Sequence, residues 1–387
     1  MRSGAVSDLW DVVVVGAGIV GTACALECAK RGLRTAVVEG SGVGGGATAA
    51  AMGHVVVMHE SEPQLALTRY SQNLWRALGD LLPADVEFEP KGTLWLAADE
   101  AEAEEVRRKQ RVYAAAGLAS EVLDRQALEE AEPYLRRPMA GALLVPSDLI
   151  VDPARAAMWL MDEAMRAGAA LYVPPQVVSA RAGRVELSDG TTLAAEHIVI
   201  ACGAESKRLL PELPIRKRKG HLAMTECCPG LVRHQLVELS YLKSAHTMTE
   251  DSVAFNIEPR RTGEILIGSS RQFGDEKSAV NETILAAMLE RAKFYMPGVG
   301  AWPIARVWTG FPAATLDRLP LIGPWPPDPS VMVATGHEAL GVTMALATGK
   351  LIADQLTGDK SEIPIEPYWP ERFFTAPGGA EGWGAEG

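Results

Sequence analysis

The hydrophobic pattern of the first forty residues predicts a strand, a helix and a second strand. Asp11–Val15 contains four consecutive valines, which is typical of a parallel strand that is covered on both faces. A helix is predicted from about Ile19 to Arg31, where Gly32 follows and ends it. Arg34–Glu39 holds a second short apolar run, so we expect the chain to open with two buried strands joined by a helix.

The rest of the chain alternates between helix-like and strand-like periodicity. Helices are predicted over residues 62–82, 99–111, 277–296 and 341–356, and from the Asp152-Pro153 pair, which suits a helix N-terminus. Strands are predicted over residues 88–97, 198–201, 305–309 and 331–334. Alternating runs within residues 235–273 indicate a mixed or antiparallel sheet, with Arg260 and Arg261 solvated in a hairpin turn. The Gly-, Ala- and Glu-rich tail, residues 376–387, is expected to be disordered.

Composition and charge exclude several classes of protein. The chain has 387 residues, 37 Lys+Arg against 49 Asp+Glu, and a formal net charge of −12. An acidic balance argues against general nucleic-acid binding, which needs cations to neutralise phosphates, and against docking on an anionic membrane by charge alone. The hydrophobic fraction of 48% excludes disorder as the dominant state. No segment supplies the roughly 20 apolar residues of a transmembrane helix.

The five cysteines favour a reduced, cytoplasmic protein. Their number is odd, and no Cys/His spacing typical of zinc is found. We therefore expect neither a disulfide framework nor a metal site. An electron acceptor could still bring the protein to a membrane surface.

A glycine-rich turn carries the clearest chemical signal. Gly16, Gly18 and Gly21 form a G-x-G-x-x-G that follows the first strand and opens the first helix. Glu39 ends the second strand, and its position 23 residues after Gly16 (39 − 16) suits a ribose-binding carboxylate. Strand, turn, helix and acidic residue together predict a dinucleotide site, with the phosphates at the helix N-terminus. The fingerprint alone does not distinguish NAD from FAD.

Motifs along nearly the whole chain resemble the FAD-dependent D-amino-acid oxidase superfamily, which includes glycine and sarcosine oxidases. They are VVVVGAGIVG (12–21), GGGATAA (44–50), DLIVDPARA (148–156), IVIACGAES (198–206), TLDRLPLIG (315–323) and ATGHEALGVT (334–343). Within it, AMGHVVVMHES (51–61), YSQNLW (70–75), GTLWLA (92–97) and IGSSRQFG (267–274) look most like the D-hydroxyproline dehydrogenase group. The resemblance implies an α/β fold: a Rossmann-like FAD-binding domain (1–85, 146–215 and 318–375) with an inserted mixed or antiparallel-sheet substrate domain (86–145 and 216–317).

The resemblance also assigns a non-covalent FAD to particular residues. Gly16, Gly18, Gly21 and Glu39 would hold the adenosine diphosphate, and Gly45, Gly46, Ala47 and Thr48 would lie along the ribityl chain and flavin. The remaining predicted contacts are Val177, Cys202, Gly203, Gly341, Val342 and Thr343. Cys202 is interpreted as a small buried residue without redox chemistry. Some relatives attach the flavin through a cysteine before the Thr315-type motif, but residues 310–314 contain none.

The substrate site is expected to depart from that of many relatives. An amino-acid carboxylate calls for a bidentate arginine, yet Pro312 stands where many relatives have one. Arg271 is the proposed substitute, and His54 and His337 are the histidines expected nearest the flavin. Further side chains considered are Glu338, as a contact to the substrate amine or to backbone N–H groups, and Thr48 and Ser269, as hydroxyl contacts.

Three functions remain open from the sequence. The leading one is FAD-dependent dehydrogenation of a D-amino or D-imino acid, with cis-4-hydroxy-D-proline as the inherited substrate. The second is a glycine- or sarcosine-type oxidase that forms hydrogen peroxide. The third is a flavin subunit of a hetero-oligomer without activity of its own. The substrate is a small molecule in each active case, and homo- or hetero-oligomers are possible.

Overall fold

A computed structural model describes residues 9–239 and 251–374, so the predicted tail, residues 376–387, lies outside the described residues. Eight α-helices are formed by the described residues: α1 Ile19–Lys30, α2 Glu62–Leu78, α3 Glu100–Ala115, α4 Arg125–Ala131, α5 Pro153–Arg166, α6 Ser206–Leu209, α7 Glu282–Tyr295 and α8 Gly341–Thr357.

The first sheet is mainly parallel and carries strand β1 at its centre. Its path runs β19-β20-β11-β1-β2-β8, with β10 and β9 added antiparallel beyond β11. Its strands are β1 Trp10–Val15, β2 Thr35–Val38, β8 Ala170–Tyr172, β9 Val177–Arg181, β10 Arg184–Leu187, β11 Thr192–Ile200, β19 Leu321–Trp325 and β20 Asp328–Thr335. Because β2, β1, β11 and β20 are mutually parallel, the loops after all four strands emerge at one edge of the sheet.

Both faces of this sheet are covered, as the valine run predicts. Val12 and Val14 pack into a cluster with α1, α5 and α8, whereas Val13 and Val15 face the opposite cluster. Helices α1 and α8 cross closely at Gly349, where the absence of a side chain allows the contact. A Cβ built there would stand 2.5 Å from the carbonyl oxygen of Ala23. This crossing fixes the start of α8 beside the glycine turn.

The second sheet is mixed, in agreement with the alternating runs. Its order is β17-β13-β16-β15-β14-β4-β6-β5, in which only the β14–β4 pair is parallel. Its strands are β4 Thr93–Ala97, β5 Glu121–Leu123, β6 Gly141–Val145, β13 Gly220–Thr225, β14 Gln235–Glu238, β15 Ser252–Pro259, β16 Ile265–Arg271 and β17 Ile304–Gly310. Helix α7 covers one face, where Phe255 and Tyr295 stack with centroids 4.6 Å apart.

Two short two-stranded pairs lie outside these sheets. Strand β3 (His54–Val55) pairs with β7 (Leu149–Ile150), and β12 (Arg216–Lys217) pairs with β18 (Ala313–Ala314). The two larger sheets draw their strands from the ranges that the sequence assigns to two domains. That division remains our proposal.

Several predicted boundaries shift in the structure, and one prediction is wrong. The predicted strand 88–97 is confined to β4, and the helix predicted from residue 277 begins at Glu282, after Asn281 accepts hydrogen bonds as its cap. Arg260 is not solvated: its side chain is only 10% exposed, because three carboxylates surround it. Arg261, at 55% side-chain exposure, is solvated as expected.

Candidate active site

The predicted cofactor residues meet in a cleft at the carboxyl ends of β2, β1 and β11. The cleft has a volume of about 440 Å³. Its lining includes Gly16, Gly18, Glu39, Gly45, Gly46, Ala47, Thr48, Val177, Cys202 and Gly203. Ligand sites of parallel sheets lie at this edge, so the placement agrees with the dinucleotide fingerprint.

The glycine turn leaves no room for side chains. Gly16 has a φ of +102°, and a Cβ there would stand 2.9 Å from the carbonyl oxygen of Ala201. A Cβ on Gly21 would come within 2.0 Å of the carbonyl oxygen of Gly16. Gly21 does not line the cleft, and its effect is to let α1 pack against the turn. The backbone can therefore approach a pyrophosphate closely.

Glu39 is held as an ionised acceptor beside the turn. Its carboxylate accepts from the backbone N–H groups of Ala17 (2.8 Å), Ser41 (2.8 Å) and Gly42 (3.3 Å). Burial alone would raise the pKa of Glu39, but these hydrogen bonds lower it below its ordinary value. An ionised carboxylate at this place is suited to accept hydrogen bonds from a ribose diol.

We expect Glu39→Ala to raise the Kd for FAD by about tenfold, because loss of the carboxylate removes ribose contacts and unpairs backbone donors. Flavin fluorescence quenching with apoprotein measures this Kd. The Kd of Glu39→Gln should lie between those of the wild type and Glu39→Ala, since glutamine retains one acceptor oxygen. Glu196→Ala, at an exposed position of β11, is the control. An unchanged Kd in Glu39→Ala would contradict the assignment.

Thr48 connects the second glycine-rich loop to α1. Gly18, the N-cap of α1, has no side chain to cap the helix, and Thr48 Oγ1 accepts from the N–H of Ile19 at 3.0 Å. A Cβ on Gly18 would stand 3.1 Å from the same oxygen. Thr48 thus fixes the loop over the helix start while lining the cleft.

The structure supports the non-redox interpretation of Cys202. Its Sγ lies 3.5 Å from Ser206 Oγ, and burial raises the pKa of the thiol to about 11. The protonated thiol at neutral pH is a poor nucleophile.

A second cavity of about 220 Å³ adjoins the first. Both are lined by Gly18, Ala47, Thr48, Gly203 and Gly310. The second cavity lies between the two sheets, because β16, the β12–β18 pair, the loop after β20 and the start of α8 all contribute to its lining.

The start of α8 reaches this second cavity only in part. Gly341 and Val342 line it, and no side chain caps the helix there. Thr343 does not line it: its hydroxyl donates to the carbonyl of His54 at 2.9 Å and accepts from the N–H of Val56 at 3.2 Å. Thr343 therefore clamps β3 to α8, and its predicted flavin contact remains a prediction.

Two buried arginines line the second cavity. Arg271 ends β16 and is 9% exposed. Arg218, which the sequence analysis missed, donates its backbone N–H to Pro312 at 3.0 Å and pairs through its side chain with Glu338. An arginine therefore stands beside Pro312 after all. Glu338 contacts this side chain rather than the backbone at the start of α8, and it adopts a φ of +52°.

The two predicted histidines differ in their surroundings. His54 lines the cavity, and its Nε2 lies 3.2 Å from Oε2 of the buried Glu258. His337 also lines the cavity, but its Nε2 lies 2.9 Å from Thr348 Oγ1, which joins its loop to α8. Burial lowers the pKa of His337 to about 3, so it is neutral. His337 therefore ties its loop to α8, and its predicted catalytic role remains a prediction. Ser269 lines the cavity as well.

A smaller chamber of about 80 Å³ continues beyond the second cavity. The two share His54, Asn256, Arg271, Glu338 and Ala339. The rest of the chamber's lining is partly apolar, from Val56, Met58, Trp95, Val237 and Leu340, and partly polar, from Gln64 and the Glu60–Arg318 ion pair. Trp95 Nε1 and Asn256 Oδ1 are buried without a hydrogen-bond partner among the described residues. The chamber thus combines apolar walls with polar atoms that a ligand could satisfy.

The residues present fit a flavin dinucleotide. The crowded glycine turn and Glu39 suit the adenosine diphosphate, and the adjoining cavity, with the start of α8, suits the ring. Unpaired N–H groups at that helix start would stabilise negative charge by about 1–2 kcal/mol. Bound FAD would supply a two-electron acceptor at this place.

Comparisons with known proteins agree with this geometry. The model of the family DAO, described as FAD dependent oxidoreductase, matches residues 11–355. Glycine oxidase of Geobacillus kaustophilus is 29% identical over 374 residues, covering 93% of this chain and 96% of the relative. Its crystal structure superposes with a TM-score of 0.84, covering 94% of this chain and 98% of that one at 28% identity.

Two further proteins are similar to this chain over nearly its full length. Hydrogen cyanide synthase subunit HcnC of Pseudomonas aeruginosa is 25% identical over 95% of this chain and 97% of its own length. The structure of L-proline dehydrogenase from P. horikoshii has a TM-score of 0.84 at 23% identity, covering 95% of this chain and 98% of that one, and shows a shared fold. Within residues 9–239 and 251–374, no helix is long and apolar enough to cross a membrane, and no cluster of three metal-ligating side chains is found.

Proposed function

Because this chain belongs to the DAO family of FAD-dependent oxidoreductases, we propose that it oxidises a D-amino or D-imino acid, with cis-4-hydroxy-D-proline as the leading candidate. The reaction would transfer a hydride from the α-carbon to N5 of the flavin and leave an imine that hydrolyses in water. The observation that carries the proposal is the second cavity, which adjoins the FAD cleft and contains Arg271.

An amino-acid carboxylate fits this cavity. Arg271 is buried in its wall, and a guanidinium can bind a carboxylate through two parallel hydrogen bonds. Arg218 is already paired with Glu338, which offsets its charge. We assign the carboxylate to Arg271 because it lines both the second cavity and the further chamber, whereas Arg218 lines the second cavity alone.

The further chamber supports a substrate larger than glycine. It opens past Arg271 and Asn256, and glycine has no side-chain atoms to place in it. A ring that carries a hydroxyl group would fill apolar space and offer a partner to Trp95 Nε1 or Asn256 Oδ1. This is the observation that favours a hydroxylated imino acid.

Glycine oxidase is the second candidate function. Two relatives with that name are 28% and 29% identical to this chain and cover 94% and 93% of it. An enzyme of this kind would reoxidise its flavin with O₂ and form hydrogen peroxide. The flavin-subunit alternative is favoured by the relative that is named as a subunit of hydrogen cyanide synthase.

Anaerobic reduction of the flavin by a panel of substrates tests these functions. We expect cis-4-hydroxy-D-proline to bleach the flavin about 10- to 100-fold more efficiently than glycine, since filling a pocket contributes about 1–3 kcal/mol of discrimination. D-Proline, sarcosine and cis-4-hydroxy-L-proline are the comparisons. Equal or faster bleaching by glycine would favour the glycine oxidase function, and bleaching by L-substrates alone would contradict the D assignment.

Reoxidation then separates the remaining alternatives. After anaerobic reduction, rapid recovery of the flavin absorbance in air would indicate an oxidase, and slow recovery a dehydrogenase. A yellow protein that no amino or imino acid reduces would favour the subunit function.

A further inference from the structure

His54 stands between the second cavity and a fully buried carboxylate. Its side chain is 14% exposed and lines both the cavity and the chamber. Its Nε2 is buried, makes no hydrogen bond within the described residues, and lies 3.2 Å from Glu258 Oε2, which is an ion-pair distance. Since Nε2 faces Glu258, Nδ1 is the ring nitrogen available to a molecule in the cavity.

Glu258 is held in place by contacts on both oxygens. It lies on β15 with a side-chain exposure of 0%, and its Oε2 also accepts from the N–H of Gly53 at 2.7 Å. Its Oε1 lies 3.2 Å from Nη1 of Arg260. Glu258 thus holds its negative charge at a fixed place beside Nε2 of His54.

The charges around this pair leave it with excess negative charge. Arg260 contacts Glu258, Glu87 (3.0 Å) and Asp152 (2.7 Å), so one cation faces three carboxylates. On the cavity side, His54 faces the walls that carry Arg271 and the Arg218–Glu338 pair. A proton on His54 would therefore be stabilised from the side of Glu258.

We propose that His54 and Glu258 form a proton-accepting dyad for the substrate ammonium group, an inference that rests on the proposed function. Hydride loss from the α-carbon needs the nitrogen lone pair, which an ammonium group lacks. In the proposed step, a substrate N–H bond breaks, its electron pair stays on nitrogen, and the proton bonds to Nδ1 of His54. Glu258 stabilises the resulting imidazolium by its negative charge, which lies 3.2 Å from Nε2. The neutral amine then has the lone pair that formation of the C=N bond requires, and bound FAD would accept the hydride.

The pH dependence of the dyad has a defined direction. Burial lowers the pKa of His54 to about 3, so its ring is neutral before the transfer and holds the proton only beside an ionised Glu258. Burial also raises the pKa of Glu258 to about 7, although Arg260 opposes the rise. Below about pH 7 Glu258 is protonated and cannot stabilise an imidazolium. Above it the carboxylate is ionised, so kcat/KM should rise with pH through this range.

Substitution of Glu258 in the FAD-loaded enzyme tests the dyad, with the substrate that bleaches the flavin best. We expect Glu258→Gln to lower kcat/KM by about tenfold at high pH, because the amide keeps the size of the side chain but cannot offset the charge of a protonated His54. The rise of kcat/KM near pH 7 should disappear. His54→Asn should show both effects while leaving the carboxylate and Arg260 in place.

A second buried Glu–His pair provides the matched control. Glu132 is 1% exposed, its Oε1 lies 2.8 Å from His234 Nδ1, and neither residue lines the cavities. Glu132→Gln should retain the wild-type pH profile. Flavin content and the thermal midpoint, measured for each variant, report structural damage independently of activity.

The outcomes separate this proposal from the proposed function. A wild-type pH profile in both Glu258→Gln and His54→Asn, or an equal loss in Glu132→Gln, would overturn the dyad. If Glu258→Gln loses flavin, His54→Asn decides, since loss of the pH-dependent rise supports the dyad and its retention overturns it. If no amino or imino acid reduces the wild-type flavin, the proposed function itself fails.

Discussion

Replacement of Gly21 by alanine is expected to yield colourless protein. The new Cβ would lie 2.0 Å from the carbonyl oxygen of Gly16, and only backbone movement can relieve that contact. The movement displaces the turn that faces the FAD phosphates. Overpacking of this severity costs about 3 kcal/mol, which corresponds to at least about 100-fold weaker FAD binding. The flavin absorbance of the purified protein and the Kd after reconstitution measure the effect.

A distant glycine supplies the control for this substitution. Gly300 has no positive φ. The atom nearest to a Cβ built there would be 3.5 Å away, in the flexible side chain of Lys293. Gly300→Ala should therefore remain yellow with an unchanged Kd. If Gly21→Ala binds FAD as tightly as wild type, the glycine turn is not the phosphate site, and the cofactor assignments lose their foundation.

The nucleotide-binding part of the fold could be predicted from the sequence because local signals agree there. Four valines, a glycine turn, a helix and Glu39 are consecutive features, and the structure places all of them at one edge of the first sheet. Short elements without strong periodicity were missed, namely α4, β5 and β6. β6 pairs with β4 and β5 pairs with β6, and these contacts across the second sheet are not encoded in local patterns.

The substrate side could be predicted less well because it depends on buried charge. Arg218 belongs to a basic run, residues 216–219, that is typical of a solvated segment, yet its side chain is 5% exposed. Arg260 is likewise expected to be solvated in a hairpin turn, yet its side chain is 10% exposed. Charged side chains are rarely buried unless paired. Glu338, the partner of Arg218, and Glu87 and Asp152, partners of Arg260, all lie far along the chain from the arginine they contact. Only the folded chain reveals these pairs.

We expect Arg271→Ala to raise KM by about 100- to 1,000-fold, while the flavin remains bound. Removing the guanidinium leaves the substrate carboxylate unpaired in a buried wall, and loss of such a charge pair costs about 2–5 kcal/mol. The effect should fall mainly on KM, because the carboxylate is bound equally in the substrate complex and the transition state. Steady-state kinetics and the visible flavin spectrum of the same preparation measure both quantities.

Two other arginines make this prediction specific. Arg218→Ala should change KM less, since its guanidinium is already paired with Glu338. Arg261→Ala removes an exposed arginine from the turn between β15 and β16 and should leave KM unchanged. Arg271→Lys keeps the positive charge but loses the planar fork, so its KM should lie between wild type and alanine. A large KM increase in Arg218→Ala with none in Arg271→Ala would move the carboxylate site to the arginine beside Pro312.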